Sequence, residues 1–255
     1  MSLTGTSQFY GNHDRGLVIN TLGAITLNNV TATSNSKQGA YLTNSTAGQG
    51  VQLTGTNTFS SNAQVGLYIS SLGAITLNNL TAIGNSAIGV QVDNSAAGSP
   101  MAVNITGTNT FSNNNVSGLS VLSKGAITLN NITANNNSGT GLTLDNSLGS
   151  AAVSLTGINN FLYNSGTGLV INSQGNVNLA KVRSDANTNS GDGVNITTIG
   201  SVTLTCGSFT NNARYGVNIS GASSVTLTGV VTSGNASGDY HFTGIGPLTR
   251  VRTCP

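Results

Sequence analysis

The chain has 255 residues, a formal charge of +2 and only 5% charged side chains, against roughly 25% in an average globular domain. This balance gives no electrostatic footprint for nucleic acid, and the wealth of Val, Ile and Thr separates the chain from disordered sequences, which are charged and poor in β-branched residues.

Taken from the N-terminus, the sequence repeats. LGAITLNN occupies 22–29 and returns letter for letter at 72–79, with KGAITLNN at 124–131. A finer unit underlies this fifty-residue copy: Asn, three variable residues, Gly, then two apolar residues flanking a polar one. Its asparagines are Asn12, Asn35, Asn62, Asn85, Asn114, Asn137, Asn164, Asn189, Asn212 and Asn235, spaced 23 to 29 residues apart. Asp239 stands in the Gly place of the last unit.

Each unit carries three short apolar segments of period two, the signature of strands. The first runs from Ile25/Leu27 and Val51/Leu53 to Val225/Leu227. The second centres three residues before each Asn and alternates large and small: Phe9, Ala32, Phe59, Ala82, Phe111, Ala134, Phe161, Ala186, Phe209. The third runs from Leu17/Ile19 to Val217/Ile219. Three strands per coil of about 25 residues predict a solenoid of three parallel sheets. With a rise of about 4.8 Å per coil, ten coils make a rod about 48 Å long. The long coil favours the right-handed form.

The Asn column predicts a turn between the second and third strands in which Asn accepts a left-handed conformation. Stacked amides would then hydrogen-bond along the rod. The Gly four residues later would let the backbone enter the next strand where a Cβ interferes. The whole of 1–255 is expected to be one β-helix domain, with 243–255 as a C-terminal tail or cap in which Pro247, Arg250 and Arg252 blunt the edge. The chain opens inside a repeat, so it is expected to continue upstream or to stack end to end. Cys206 and Cys254 are either two free thiols or a disulfide fixing the tail.

On this Asn ladder and coil pattern, Leu3 to about Phe242 resembles the right-handed parallel β-helix (pectin-lyase-like) superfamily, which holds pectate lyases, polygalacturonases, tailspikes and long secreted adhesins. The resemblance implies the fold. It leaves activity open, because this fold hosts enzymes and inert rods alike. For its enzymes it implies acidic clusters, with calcium or with several Asp on one sheet. Here Asp93 and Asp145 share one place in VQVDNS and LTLDNS, two coils and so about 9.6 Å apart, at the edge of the roughly 6.5–9.5 Å of inverting glycosidases. Leu122 fills the matching place between them, so two solvated turn residues of one repeat are the alternative. The charged stretch KVRSDANTNSGD sets Lys181, Arg183, Asp185 and Asp192 as candidates for binding an acidic sugar or a cation. Decay of the repeat with charges pairing on the surface is the alternative.

His13 and His241 are far apart in coil order, so no metal site and no cofactor are expected. Thr31, Thr58, Thr81, Thr110 and Thr133 form an outward column in five successive coils. Such columns mark ice-binding solenoids, but those keep a strict Thr-x-Thr, and here Ile83 and Asn135 interrupt it. The leading expectation is a non-enzymatic structural or adhesive solenoid, a segment of a secreted or cell-surface repeat protein. Its expected partners are carbohydrate or copies of itself. A polysaccharide lyase or hydrolase, and then an ice-binding protein, are the alternatives. No run of eighteen apolar residues exists, so no helical membrane span is expected.

Overall fold

In the computed structural model, which describes residues 1–254, the chain winds as a parallel β-solenoid. Three sheets of eleven, ten and ten strands take every third strand in turn. Every pairing is parallel and joins a strand to its counterpart one coil away: Ile75 sits on Val51 and Val103, and Val90 on Leu67 and Leu119. This register stacks like on like. Ile25, Leu27, Leu53, Ile75 and Leu77 of the first sheet are fully buried, as are Leu42, Leu67 and Ile69 of the third. Phe59, Phe111, Phe161 and Phe209 fill the core between small neighbours such as Ala82 and Ala134. A narrow interior is packed without voids when bulky and small side chains alternate by level.

The ladder runs through nine of the ten asparagines read from the pattern. At each step Oδ1 of one Asn accepts both the backbone N–H and the Nδ2 of the Asn one coil earlier, as at Asn85 to Asn114 (3.0 and 3.0 Å). Nδ2 also donates to a carbonyl of the coil below, Asn114 to Ala82 at 3.1 Å. Two expectations are corrected here. The left-handed residue is the one before the ladder Asn: Ser34, Ser61, Asn113, Asn136 and Asn211 have φ of 55 to 58°. The ladder side chain thus works as a hydrogen-bonding post, and its neighbour makes the bend.

The second correction concerns Asn189. Asn164 passes its bonds to Asn187, and Asn187 to Asn212, each at 2.9 to 3.1 Å. Asn189 is exposed, at φ 47°, beside Ser190 at φ 67°. The turn after Asn187 is two residues longer than elsewhere, and these two left-handed residues absorb the excess. The small residue of that coil is accordingly Ser184, fully buried, and Ala186 makes the bend instead. The Ser184 hydroxyl donates to the Gly193 carbonyl at 2.6 Å and accepts from Asn187 Nδ2 at 3.1 Å.

A second set of buried asparagines, Asn57, Asn109 and Asn159, occurs on alternate coils. Their Oδ1 atoms accept from the N–H of Val30, Leu80 and Ile132, one coil below. Their Nδ2 atoms donate to Thr54, Thr106 and Thr156. At the end of the third strand Asn44, Asn94 and Asn146 alternate with Ser71, Ser123 and Ser173, all buried. Corners of a solenoid leave backbone groups unpaired, and these amides and hydroxyls supply the partners.

The last coil departs from the pattern of the earlier ones. Asp239 stands where other coils have Gly, and its carboxylate accepts from Asn235 Nδ2 at 3.0 Å, as the next coil's Asn Oδ1 does elsewhere. The last strand, Leu248–Val251, adds an eleventh level to the first sheet alone. Arg250 takes the inward position above Leu227. Its guanidinium lies 4.1 Å over the Tyr240 ring and 5.8 Å from that of Phe242, a cation–π roof over the core. Cys206 and Cys254 form a disulfide, spanning the turn at Gly229 with Cα atoms 5.4 Å apart. Gly229 permits this: a Cβ there would come within 2.7 Å of the Cys254 backbone.

Candidate functional site

The three outer faces differ in chemistry. On the first sheet the columns through Ala24, Thr26 and Asn28 hold Ala, Gly, Thr, Asn, Gln and Ser over the first six coils, with no charged side chain. Asn28, Asn78 and Asn130 there donate to Thr54, Thr106 and Thr156 at 2.9 to 3.1 Å, pinning the surface. On the second sheet the threonines 31, 58, 81, 110 and 133 stand in register, and Asn160 and Arg183 continue the column.

The third sheet collects aromatic and ionisable groups. Tyr41 and Tyr68 occupy adjacent rungs, their rings stacked at 4.9 Å and 9°. Arg15 covers the outer face of Tyr41, 4.6 Å from its centroid, so both faces of the Tyr41 ring are taken. Burial pushes the Tyr68 phenol up, with Tyr41 and the carboxylate of Asp93 adding to the effect.

Asp93 and Asp145 lie on this same face, with Leu122 on the rung between them. Each carboxylate closes its own turn: Asp93 Oδ1 accepts from the N–H and hydroxyl of Ser95 at 2.8 and 2.7 Å, and Asp145 from those of Ser147 at 2.9 and 2.7 Å. The two are not joined into an acid–base pair.

The charged stretch is dispersed by the coil. Lys181 sits in the bend after the first sheet, at φ 51° and exposed. Arg183 ends the second-sheet strand Val182–Arg183 and pairs with Asp185 just beyond it. Asp185 is buried and also accepts from the Thr210 N–H at 2.9 Å. Asp192 is carried round to the edge of the third sheet. The four residues thus form no common site, because each coil turns the chain through three faces in about 25 residues.

Asp192 instead anchors a group that sequence reading missed. Fully buried, it accepts from the Tyr215 N–H at 3.0 Å and from Asn218 Nδ2 at 3.0 Å, with Arg214 at 3.8 Å. Asn218 Oδ1 in turn meets His241 Nδ1 at 3.0 Å. Since Asn218 donates to Asp192, its oxygen faces His241, and Nδ1 must carry the proton. With Nδ1 protonated, Nε2 is the ring nitrogen not engaged in this chain of hydrogen bonds. His241 stacks on Tyr215 at 4.6 Å and 15°, and Arg214 lies 5.4 Å from the Tyr215 centroid. Asn195, Asn218 and His241 occupy one outward column. Tabulating that column beside Asp192 was the available signal. Among the described residues no group of three or more His, Cys, Asp or Glu converges on a metal position, and no helix is long and apolar enough to cross a membrane.

A three-sheet parallel solenoid with an Asn ladder and a polar, aromatic third face defines a β-helix protein. Residues 5–158 match the family described as the right-handed β-helix region, and the chain belongs to that family. No curated protein matches it. Among solved structures it is similar to the A-module of mannuronan C-5 epimerase AlgE4 of Azotobacter vinelandii, at 15% identity and a TM-score of 0.49, over 88% of this chain and 55% of that one. The AlgE6 A-module of the same organism is similar at 14% identity and a TM-score of 0.43, over 88% of this chain and 58% of that one. The chain spans little more than half of either module.

Proposed function

We propose that this β-helix is a polysaccharide-contacting solenoid of a secreted or cell-surface protein, with the outer face of the third sheet as the contact surface. The observation that supports it is the uneven distribution of chemistry. Tyr41, Tyr68, Tyr215 and His241 share that face with Arg15, Asp93 and Asp145, while the first sheet is uncharged over its first six coils. Hydroxyls, amides and ring edges fixed on a rigid sheet suit sugar hydroxyls, and little side-chain entropy is lost on binding. The disulfide fits an oxidising, extracellular compartment. End-to-end assembly into fibres is a further form of the reading, and rods that lengthen with protein concentration would support it.

Titration of the intact chain against a panel of neutral and acidic polysaccharides tests this. Tyr68→Ala and Tyr215→Ala should each weaken binding by about five-fold or more, and Thr128→Ala on the first sheet should change nothing. Equal losses on both faces, or binding to no polysaccharide, would remove the proposal.

A second reading, an enzyme acting on the bound polymer, is favoured by the Asp192–Asn218–His241 chain. A buried carboxylate that orients an imidazole through an amide leaves Nε2 as a proton acceptor beside a phenol and a guanidinium, the elements of general acid–base chemistry. Release of new chain ends from a bound polysaccharide, lost in His241→Ala while binding persists, would establish it. Binding without any product would confine the protein to the first reading.

A further inference from the structure

Asparagine followed by a small residue is chemically labile, because the next backbone nitrogen can attack the side-chain amide carbon. Nine Asn–Ser pairs occur in this chain, and in eight of them the fold holds the attacking nitrogen. After Asn35, Asn85, Asn137 and Asn164 the serine N–H donates to the backbone carbonyl of the preceding ladder Asn, at 2.8 to 2.9 Å. After Asn94 and Asn146 it donates to the carboxylates of Asp93 and Asp145, at 2.8 and 2.9 Å. After Asn44 it donates to the Thr21 carbonyl at 3.3 Å. Asn172 and Ser173 end a strand paired on both sides. A nitrogen held in this way reacts only in the fraction of molecules in which its segment has opened.

Asn189–Ser190 is the ninth pair, and it is free. Both residues are exposed. Among the described residues neither the Ser190 N–H nor the Asn189 side chain has a hydrogen-bond partner. The two are the central residues of a turn closed by the Gly191 N–H on the Thr188 carbonyl at 2.9 Å, with φ of 47° and 67°. Asn accepts the left-handed region readily, whereas Ser is strained there. The two extra residues that displaced Asn189 from the ladder therefore also removed the bond that protects its neighbours.

We propose that Asn189 is a site of self-modification that converts to aspartate and isoaspartate in the folded protein. The Ser190 nitrogen gives up its proton and bonds to Asn189 Cγ. The Cγ–Nδ2 bond breaks, and Nδ2 leaves as ammonia with that proton. The product is a five-membered cyclic imide. Water then opens the ring at either carbonyl, giving aspartate or, with the main chain rerouted through the side chain, isoaspartate. The new carboxylate lies in the turn whose Gly191 carbonyl accepts the Arg214 N–H at 3.1 Å. Modification thus adds a negative charge beside the coil of Arg214, the cation 3.8 Å from Asp192. The proposal is independent of what the third face binds.

The test incubates the full chain, disulfide intact, at mildly alkaline pH, once folded and once in denaturant. Peptide mapping by mass spectrometry follows amide-to-acid conversion at each Asn–Ser pair, and enzymatic methylation counts isoaspartate. In the folded chain Asn189 should convert about ten-fold faster or more than any of the other eight. In denaturant the nine rates should become comparable, which separates an effect of the fold from one of local sequence. Asn189→Gln, a change at an exposed side chain, should remove the isoaspartate of the folded chain and leave the other eight pairs unchanged. Conversion at Asn189 no faster than at the ladder pairs, the same preference in denaturant, or isoaspartate that persists in Asn189→Gln would each overturn the proposal.

Discussion

Asn114 stands mid-ladder and is the strictest test of the view that the amide column is structural. Its Oδ1 accepts from the Asn85 N–H and Nδ2, and its Nδ2 donates to Asn137 Oδ1 and the Ala82 carbonyl. Asn114→Ala removes all four bonds and leaves two buried groups, the Asn85 N–H and the Ala82 carbonyl, without those partners. Each buried orphan costs about 1–3 kcal/mol. For the two of them the expected loss is about 2–6 kcal/mol. Asn12→Ala is the internal control. Asn12 is exposed, its side chain gives a single bond to Asn35 at 2.8 Å, and its backbone N–H keeps Asn35 Oδ1. The expected loss there is about 1 kcal/mol or less. A solenoid can melt by segments, so the assay is thermal unfolding combined with amide hydrogen exchange in the coils of Asn85, Asn114 and Asn137. If Asn114→Ala destabilises no more than Asn12→Ala, the ladder is not what holds the turns.

The corrected ladder position yields a paired prediction: Asn187→Ala should cost several kcal/mol, and Asn189→Ala about 1 kcal/mol through its left-handed backbone alone, as measured by thermal shift. Gly118→Ala should cost about 1–3 kcal/mol, because a Cβ there meets the carbonyls of Phe111 and Gly141 at 2.5 and 2.6 Å; normal stability would refute that close approach. Reducing the disulfide should remove up to about 4 kcal/mol of chain-closure stabilisation, for a separation of 48 residues. That loss should appear as faster hydrogen exchange in 244–254, with coils before Asn164 unchanged. Tyr68, its phenol pKa raised by burial, Tyr41 and Asp93, should ionise after the ordinary phenol range near pH 10. Stability linked to its proton is full below that range and falls as pH rises through the folded-state ionisation. Absorbance titration should lose its latest component in Tyr68→Phe.

The coil architecture was legible because it repeats: a column of asparagines in register and three period-two segments per unit leave few arrangements. The failures have physical causes. Asn187 and Asn189 both fit an Asn column, and only the path of the turn, lengthened by two left-handed residues, separates them. The grouping of residues 181–192 assumed that near in sequence means near in space. In a solenoid the neighbour that matters is a coil away, so Asp192 meets Tyr215 and Asn218 and stays apart from Asp185. Asp93 and Asp145 were rightly placed on one face, but their turn-closing bonds to Ser95 and Ser147 were not visible in the spacing.

The fifty-residue copy has its own explanation in the packing. Coils with Phe59, Phe111 or Phe161 carry Asn57, Asn109 or Asn159 two residues earlier and Gly55, Gly107 or Gly157 in the preceding bend. Coils with Ala32, Ala82 or Ala134 carry Val30, Leu80 or Ile132, and Asn29, Asn79 or Asn131 in that bend. A phenyl ring overfills one level and needs a small neighbour above and below, so the unit that repeats without strain is two coils. The bend follows the same alternation: Asn79 Oδ1 accepts from the Thr108 N–H one coil up, and Gly107 leaves the room, since a Cβ there would meet that oxygen at 2.1 Å. The alternation lapses where Lys181 and Cys206 take the bend and Ser184 replaces Ala. These irregular coils hold Asp192, Tyr215 and Asn218, and His241 lies one rung further on. Identical coils can only repeat the same contacts, whereas a site needs unlike residues on neighbouring rungs. The departure from the copy therefore coincides with the richest chemistry on the third face.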